Sequence, residues 1–398
     1  MRILIINSGS SSIKFQLIEM PSETVLCKGI VERIGSKKAR VHYKNGIKEF
    51  EEVKAIEDHS AGLSIITDML TNPENGVIKH PDEIAVVGHR VVHGGKNFDK
   101  PTKITPKVLR SIKRLSPLAP LHNPANVLGI KTASRIFTNA DQVAVFDTAF
   151  HQTIPEKAHR YAIPKDLADS HSLRVYGFHG TSHKYVSEKA NMHLKTGNSK
   201  LISIHLGNGC SMTAVQNGKS IDHSLGFGPS NGLIMGTRSG DIDQSVIFFL
   251  MDSFGQSSKQ INKTLQKKSG LLGLTGHSDM RDIQKGADNG NADCILALEM
   301  VAYRIQKYLG SYAAAMNGLD AVIFTAGIGE NSAELRKRVC QEMDFFGISL
   351  DDSLNSALKF DSGVAEIQSD GSKVKILVIP TNEELEIARQ SYFLNKDK

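Results

Sequence analysis

The N-terminal stretch Met1-Arg-Ile-Leu-Ile-Ile-Asn-Ser-Gly-Ser-Ser-Ser-Ile-Lys14 predicts a strand, a tight polar turn and a second strand. The apolar run Ile3–Ile6 is typical of a buried strand, and Phe15–Ile18 resumes the pattern after the turn. Glycine permits a sharp turn, after which amide and hydroxyl groups can converge on an anion, with Lys14 as a nearby cation. Alone, such a turn is more often a flexible hairpin loop. The similar turn Gly207-Asn-Gly209 favours phosphate binding instead.

The second half of the chain repeats this arrangement. Leu201–Leu206 predicts a strand, and Cys210–Val215 predicts the next one, which ends in the hairpin signal Asn217-Gly218. Helices and strands alternate afterwards in both halves. We therefore expect an α/β protein with two duplicated domains, each a mixed sheet flanked by helices, and an interdomain cleft that holds the ligand. The other predicted strands are Val25–Val31, Arg40–Tyr43, Ile84–Val87, Gln142–Phe146, Asp320–Thr325 and Lys375–Ile379. The predicted helices are Glu57–Leu70, Pro106–Leu115, Asn123–Phe137 with Asn123 as its N-cap, Asp293–Met316, Asn382–Asn395 and one that the glycine-rich turn Gly327–Asn331 opens.

Length and composition set the outer limits. A chain of 398 residues favours two domains, expected at 1–150 with the C-terminal helix 383–398 and at 151–382. The net charge of +6 is mild and forms no long basic block, which excludes nucleic acid and membrane surfaces as expected partners. The four cysteines are scattered and no apolar run reaches membrane-spanning length. These features favour free thiols and a cytoplasmic protein.

Polar clusters lie at or near the ends of several predicted strands, where open α/β sheets gather ligands. His89–Gly95 and Asp147 each follow a strand, Tyr176–His183 leads into a helix, and Arg238 stands in the glycine-flanked segment Gly236–Asp241. Each residue alone has a plain structural interpretation: a surface cation, a helix cap or a hydrogen-bonded histidine. His89, His93 and His183 keep that structural or supporting interpretation. The joint pattern is more specific than its parts.

These residue types suit phosphoryl transfer, which asks mainly for anchoring and charge neutralisation. Glycine turns can hold phosphates through backbone amides, and arginine can bind a carboxylate or phosphate with paired donors. The oxygens of Asn7, Asp147 and Glu383 can organise Mg²⁺. The sequence contains no Walker-type phosphate loop, no G-x-S-x-G elbow and no H-E-x-x-H motif.

A series of ordered motifs resembles the acetokinase family, a branch of the actin-like, sugar-kinase and Hsp70-type ATPase superfamily with a ribonuclease H-like domain fold. The motifs are Asn7–Lys14, His89–Gly95, Pro120–Pro124, Val145–His151, Tyr176–His183, His205–Gly209, Met235–Asp243, Ala326–Asn331 and Pro380–Glu384. The resemblance implies an enzyme that interconverts ATP plus acetate and ADP plus acetyl phosphate by direct in-line transfer. It also implies Mg²⁺, with Mn²⁺ as an alternative, and a homodimer joined largely through the second domain.

The resemblance also implies a role for each matching residue. Asp147, His179 and Arg238 match the catalytic residues, Asp147 as the active-site acid and the other two as transition-state stabilisers. Asn7 and Glu383 match the magnesium site. The acetate site matches Arg90 as the cation and Val92, Leu121, Phe178 and Pro229 as the pocket for the methyl group. The nucleotide site matches Lys14, His205, Leu206, Gly207, Asn208, Gly209, Asp279, Met280, Arg281, Gly327, Ile328, Gly329, Glu330 and Asn331.

One segment departs from the family pattern. The family commonly has Thr-Pro-Leu-Glu-Gly where this chain has Gly228-Pro-Ser-Asn-Gly232, so a leucine and a carboxylate are lost next to the acyl pocket. Propionate or butyrate kinase is therefore the alternative within the class. Val92 should narrow the acyl site, and one methylene is worth about 1–3 kcal/mol in such a pocket, so propionate should be a poorer but real substrate.

Two readings from other classes fit less well. An actin- or Hsp70-like ATPase that switches a binding surface would share the fold but would not need Arg90, His179 and Arg238 beside an apolar pocket. A Rossmann dehydrogenase would need a G-x-G-x-x-G turn after its first strand, which the sequence lacks.

Because acetate is already ionised at neutral pH, no general base is required. Asp147 is accordingly expected to position metal, water or arginine more than to abstract a proton.

Overall fold

The computed structural model describes residues 1–46 and 48–396, and the chain divides into two compact units. Unit 1 is Met1–Phe150 together with the segment that begins at Asn382, and unit 2 is His151–Thr381. The strands of unit 1 are β1 (Arg2–Ser8), β2 (Ser12–Glu19), β3 (Thr24–Glu32), β4 (Ser36–Asn45), β5 (Lys48–Ile56), β6 (Ile84–Val91), β7 (Thr102–Lys103) and β8 (Asp141–Phe146). Its helices are α1 (His59–Leu70), α2 (Pro106–Arg114), α3 (Asn123–Ile136) and, near the C-terminus, α15 (Glu383–Asn395).

Unit 2 contains most of the helices. These are α4 (Glu156–His159), α5 (Lys165–His171), α6 (Gly180–His193), α7 (Gln244–Phe254), α8 (Ser258–Lys267), α9 (Gly270–Thr275), α10 (Met280–Asp288), α11 (Ala292–Met316), α12 (Ala326–Asn331), α13 (Ala333–Cys340) and α14 (Asp352–Ser356). Its strands are β9 (Lys200–Leu206), β10 (Cys210–Gln216), β11 (Lys219–His223), β12 (Ala321–Thr325), β13 (Ala365–Glu366) and β14 (Lys375–Val378). None of the helices in the described part of the chain is long and apolar enough to cross a bilayer.

The two sheets share one topology. In unit 1 the order is β5-β4-β3-β2-β1-β6-β8-β7, and in unit 2 it is β11-β10-β9-β12-β14-β13. In each, the first strand begins an antiparallel meander on one side and pairs in parallel on its other side with a later strand, which in turn pairs in parallel with the next. This repeat confirms the predicted duplicated α/β fold with mixed sheets flanked by helices.

The central strand of unit 1 is buried on both faces, as its unbroken apolar sequence predicts. Leu4 and Ile6 face a core that α1 and α3 cover, whereas Ile3 and Ile5 face Ile387 of α15. The C-terminal helix therefore completes the sheet of unit 1, although it follows the last strand of unit 2. Burying four large aliphatic side chains at about 1.5–3 kcal/mol each makes this strand a main source of the unit's stability.

Three predicted elements differ from the structure. Strand β6 runs on to Val91, so Arg90 lies within the strand. Polar residues continue the strand because their side chains find partners on the neighbouring β8 segment, His89 Nε2 lying 2.8 Å from Gln142 Oε1. Asn123 is the first helical residue of α3 and not its N-cap, because its buried amide binds both the N–H and the C=O of His93. Gly327–Asn331 is not a turn but belongs to helix α12.

Strand β5 was not predicted, because five of its nine residues are charged and Ile56 is its one buried residue. It pairs antiparallel with β4 at the edge of the sheet, where Glu49 contacts both His42 and Lys44. Charged side chains on an edge strand discourage pairing with another molecule, so a weak apolar signal is the expected signature of such a strand.

Candidate active site

The serine-rich turn after β1 is held by side chains from two helices. The Gly9 N–H donates to the Ser12 carbonyl at 2.8 Å, and His59 Nε2 of α1 donates to the Gly9 carbonyl at 2.7 Å. Asn126 of α3 donates to the Ser8 carbonyl at 2.9 Å. These bonds at both ends fix the turn, which is therefore not the flexible loop that its composition alone suggests.

The ends of β1, β6 and β8 and the start of α15 in unit 1 bring three predicted site residues around the guanidinium of a fourth. Arg90 Nε donates to both carboxylate oxygens of Asp147 at 3.0 and 3.1 Å, and Nη2 donates at 2.6 Å. On its other edge, Nη1 lies 3.5 Å from Asn7 Oδ1. Glu383, the first residue of α15, places Oε2 at 3.8 Å from Arg90 Nε. The Asp147 side chain is only 2% exposed, so its ion pair with Arg90 is shielded from water.

The charges in this cluster perturb one another. Burial lowers the pKa of Arg90, but the carboxylates of Asp147 and Glu383 outweigh it and leave the pKa raised, so this guanidinium is permanently charged. Burial raises the pKa of Glu383, with Arg90 acting against it and Asp147 adding to it. Lys14 lies opposite Asn7 in the β1–β2 ladder and favours the ionised form of Glu383. Lys14 thus belongs to this cluster within unit 1.

The residues predicted for the acyl pocket have very different environments. In unit 1, Val92 is 7% exposed and its N–H donates to Asn126 Oδ1 at 3.1 Å, whereas Leu121 is 55% exposed. In unit 2, Phe178 is 2% exposed. Pro229 is partly buried and its carbonyl accepts a hydrogen bond from Arg238 Nη1 at 2.9 Å. The Val92 and Phe178 side chains are therefore each held within their own unit, and the exposed Leu121 side chain is the least constrained of the four.

His179 stands at the N-terminus of α6 in a left-handed backbone conformation, with φ of 55°. Such a conformation is uncommon for a residue with a Cβ and persists where the surroundings impose it. The His179 ring stacks on His205 with centroids 4.4 Å apart, and Nδ1 lies 2.9 Å from Ser211 Oγ. The imidazole plane and one of its edges are thereby fixed.

Two buried histidines clamp the peptide just before His179. The Phe178 N–H donates to His223 Nε2 at 3.0 Å, and the Phe178 carbonyl accepts from His151 Nε2 at 3.0 Å. A Cβ on Gly177 would lie 2.7 Å from the His151 ring, so glycine is required there. Burial lowers the pKa of His151 to about 4, and burial together with the neighbouring imidazoles lowers the pKa of His223 well below its usual value. Both clamps are therefore neutral.

Arg238 differs from Arg90 in having no carboxylate within salt-bridge distance among the described residues. Its Nη1 contacts the Pro229 carbonyl and lies 3.7 Å from the Met235 sulfur. Burial lowers the pKa of Arg238, which the neighbouring Cys210 only partly offsets. A Cβ on Gly209 would lie 3.5 Å from the His179 ring and 3.6 Å from Arg238 Nη1. The turn after β9 therefore lies against both side chains predicted to stabilise the transition state.

A pocket of about 1140 Å³ opens in unit 2 beside this turn. The turn after β9, the start of α10 and helix α12 form its walls. Predicted nucleotide-site residues in the lining are Gly207, Asn208, Asp279, Met280, Arg281, Gly327, Ile328 and Asn331. Hydrogen bonds from Arg281 lower the pKa of Asp279 to about 2, so this carboxylate stays ionised. The volume of the pocket and the glycines in its walls suit a nucleotide.

The other predicted nucleotide residues lie outside this lining. Leu206 is buried in β9, and Gly329 packs beneath the pocket against the Ile204 carbonyl and the Leu206 side chain. Glu330 turns away from the pocket, and its Oε1 accepts from the Thr381 N–H at 3.1 Å. His205 stacks on His179 within a group of neighbouring rings, the histidine cluster, which consists of His151, His179, His183, His205 and His223. Gly209 lies against the His179 ring of this cluster.

Several residues of the unit 2 pocket and of the histidine cluster were not predicted from the sequence. Ser278, Gln284, Lys285, Asp288, Ser332, Ala333 and Glu334 also line the pocket. The clamps His151 and His223 and the serine Ser211 were not singled out. His151 ends one of the quoted motifs, which is the only signal that could have drawn attention to it.

A duplicated α/β fold whose second unit sets Arg238 and a fixed histidine beside a glycine-lined pocket is typical of a phosphotransferase. The chain belongs to the acetokinase family, whose model matches residues 2–389. An acetate kinase from Flavobacterium johnsoniae is 58% identical over 394 residues, 99% of both chains. Among solved structures, an acetate kinase from Porphyromonas gingivalis is 42% identical over 99% of both chains with a TM-score of 0.93. A propionate kinase from Francisella tularensis is 43% identical over 98% of this chain and 99% of its own, with a TM-score of 0.92.

Proposed function

We propose that this chain is an acetate kinase that transfers the γ-phosphoryl group of ATP to acetate, giving acetyl phosphate and ADP, and that it also runs in reverse. The observation that carries the proposal is the meeting of Gly209, His179 and Arg238 at the turn after β9, whose residues Gly207 and Asn208 line the nucleotide-sized pocket. A glycine turn, a cation and an imidazole at one point are the parts that phosphoryl transfer needs.

Acetate needs no activation by a base, because it is ionised at neutral pH. A carboxylate oxygen attacks the γ-phosphorus in line as the bond from phosphorus to the β-γ bridging oxygen breaks, and ADP leaves with the electron pair. The protein has to bring one anion to another, and the fixed positive charge of Arg90 serves that purpose. Asp147 holds the Arg90 guanidinium in one orientation through three hydrogen bonds.

Arg238 and His179 stabilise the charge that the transferring group carries on its equatorial oxygens. A partly buried guanidinium without a carboxylate partner keeps its full charge for an incoming anion, which makes Arg238 the stronger of the two. A phosphoenzyme trapped on the catalytic path would contradict this direct transfer.

Asn7 and Glu383 suit a magnesium site. Mg²⁺ prefers oxygen ligands, and it usually takes one or two from protein and the rest from water and phosphate. Asn7 offers an amide oxygen. Glu383 offers a carboxylate whose ionised form burial disfavours and a bound cation would stabilise. Mg²⁺, or Mn²⁺ in its place, would supply charge neutralisation on the nucleotide phosphates when bound. The nucleotide itself is assigned to the pocket of unit 2.

The apolar helix α7 supports a homodimer formed through unit 2. None of its residues is buried, and Phe248, Phe249 and Phe254 are 59, 57 and 65% exposed. A large exposed apolar patch usually marks an interface. We expect sedimentation of the protein as a dimer and of the double variant Phe248→Ser/Phe249→Ser as a monomer. A monomeric parent protein would overturn this proposal. The four buried free thiols fit a cytoplasmic location.

The test of the reaction is ATP-dependent acyl phosphate formation, trapped as the hydroxamate, with acetate, propionate and butyrate compared. Acetate should lead, because Val92 and Phe178, the residues proposed for the acyl pocket, are both buried and leave their side chains little freedom to move. Propionate in the lead would favour the alternative, which the similarity to a propionate kinase structure and the altered segment Gly228–Gly232 keep relevant. No hydroxamate with any acid, while ATP still binds, would overturn the proposal.

A further inference from the structure

A chain of four hydrogen-bonded side chains leads from the interior of unit 2 to His179. Ser203 Oγ lies 2.8 Å from His183 Nδ1, and His183 Nε2 lies 2.7 Å from Ser211 Oγ. Ser211 Oγ in turn lies 2.9 Å from His179 Nδ1. Ser203, His183 and Ser211 are all fully buried, so each hydrogen in the chain must find an acceptor within the protein.

The direction of the chain follows from counting hydrogens. In the described structure, the hydroxyl of Ser203 has a single side-chain contact, His183 Nδ1, so its hydrogen must be donated there. His183 then carries its own proton on Nε2 and donates it to Ser211 Oγ. The Ser211 hydroxyl has one hydrogen, which is left for His179 Nδ1. A neutral His179 that accepts at Nδ1 carries its proton on Nε2.

The opposite direction is costly. If His179 donated from Nδ1, Ser211 would donate to His183 and His183 would donate to Ser203. The buried hydroxyl hydrogen of Ser203 would then have no acceptor in the described structure, which carries the full desolvation penalty. Protonating His183 does not resolve the conflict, because burial and the nearby rings of His151 and His205 hold the pKa of His183 far below its usual value.

We infer that Ser203, His183 and Ser211 form a polarised hydrogen-bond chain that keeps His179 neutral with its proton on Nε2. His179 would then act as a neutral hydrogen-bond donor to an equatorial oxygen of the transferring phosphoryl group, a role that rests on the proposed function. Ser211 and His183 are positioning residues in this scheme, because they act only through His179.

The same cluster contains a built-in comparison. His151 and His223 receive their tautomers from the Phe178 peptide, so their proton positions are independent of the serine chain. His151 must carry its proton on Nε2 to donate to a carbonyl, and His223 must leave Nε2 bare to accept from an N–H. These two rings therefore serve as internal references for any measurement of proton position.

Nitrogen-15 NMR of the full-length protein with labelled histidine tests the inference at a pH where the rings are neutral. The protonated and bare ring nitrogens of an imidazole differ widely in shift, and His179→Gln assigns the signals. We expect the His179 proton on Nε2 in the parent protein. We expect Ser211→Ala and Ser203→Ala each to produce a mixture of tautomers. Ser220→Ala, which removes the partner of His151 Nδ1, should leave the His179 signals unchanged.

A parent protein with the His179 proton on Nδ1 would overturn the inference, and so would an unchanged tautomer in both Ser211→Ala and Ser203→Ala. Once His179→Gln has assigned the signals, the parent tautomer is decisive by itself, so a serine variant that fails to fold does not remove the test. In kinetics, Ser211→Ala should lower kcat roughly tenfold with KM for ATP unchanged, because only a transition-state contact is weakened. Ser211→Thr, which retains the hydroxyl, should restore most of the rate.

The NMR readout separates this inference from the proposed function. A preparation with the expected tautomer that forms no acyl phosphate with any acid would refute the reaction and leave the polarised chain intact. A preparation that forms acetyl phosphate with His179 in the other tautomer would refute the chain and leave the reaction intact.

Discussion

The two arginines proposed to act in the reaction, one in each unit, are held in opposite ways. In unit 1, three hydrogen bonds from Arg90 engage Asp147, and Glu383 lies nearby, so its positive charge is largely balanced. In unit 2, Arg238 is bonded to the Pro229 carbonyl, and no carboxylate lies within salt-bridge distance in the described part of the chain. The nearby carboxylates raise the pKa of Arg90, and burial lowers that of Arg238.

This contrast separates two tasks that phosphoryl transfer combines. A balanced arginine is fixed in direction but attracts an additional anion only moderately, which suits the orientation of a small carboxylate. An unbalanced arginine in a low-dielectric setting attracts developing negative charge strongly. Substitutions at the two positions should therefore differ in size and in the kinetic constant that changes.

The largest effect is expected for Arg238→Ala. Loss of an uncompensated charge from the transition state should lower kcat on the order of 10²-fold or more. The measurement is hydroxamate formation at saturating ATP and acetate, with circular dichroism to check folding. Arg160→Ala is the matched control, because Arg160 forms only surface ion pairs in the same unit, with Glu156 and Asp169. Near-full turnover of Arg238→Ala would refute the assignment.

A smaller effect is expected when the Asp147 carboxylate that orients Arg90 is removed. Asp147→Asn keeps the shape but removes the charge and one acceptor, so acetate KM should rise and the rate should fall by about one to two orders of magnitude. A cycle with Arg90→Ala should show strong non-additivity, because the two residues act as one unit. The decisive control is the pH–rate profile, which should keep its form in Asp147→Asn. Loss of a single ionisation that tracks Asp147 would identify it as a base instead.

Local sequence was sufficient to predict the duplicated fold with mixed sheets and to mark the polar segments near its strand ends. Strand, turn and hairpin signals lie within a few residues of one another, and Arg90, Asp147, His179 and Arg238 lie in compact motifs. What joins these residues depends on pairing across long stretches of chain. Asp147 reaches Arg90 only because β8 lies parallel to β6 in one register, and a single-residue slip would turn the side chain to the other face.

The histidine cluster was beyond prediction for the same reason. His151, His183, His205 and His223 come from four separate elements, and each has an ordinary structural interpretation in sequence. Their meaning lies in hydrogen-bond partners such as Ser211 and the Phe178 peptide, which no spacing rule identifies. Unit 1 has no comparable cluster among its described residues, so the duplication of the fold could not be used to infer it.

The Phe178 clamp offers a third test, in which unit 2 is perturbed without touching either arginine. His223→Leu removes the acceptor of the Phe178 N–H, which should relax the left-handed conformation of His179. We expect kcat to fall several-fold with little change in ATP KM, as for a lost orientation effect. His223→Gln is the matched variant, since its side-chain oxygen can still accept from the N–H and should recover much of the rate. Equal loss in both variants would argue against the clamp.

The smallest expected effect concerns stability in acid, and it also compares the two units. Burial lowers the pKa of His89 and His93 in unit 1 and of His151 in unit 2 to about 4. The unfolded chain, with a histidine pKa of about 6.5, binds more protons between these values. The contribution of these neutral histidines to the free energy of unfolding is therefore fully present above about pH 6.5. It declines as the pH falls towards 4, by about 1.4 kcal/mol per pH unit for each such histidine.

The pH dependence of the urea unfolding midpoint measures this decline, and His89→Gln should make it shallower by one histidine's share. Glutamine can still donate to Gln142 Oε1, the hydrogen-bond partner of His89, but it cannot titrate. His171→Gln on the exposed surface of α5 is the control and should leave the slope unchanged. Equal slopes for the parent and His89→Gln would mean that His89 does not contribute to the acid response. The decline would then have to come from His93 and from the clustered imidazoles of unit 2.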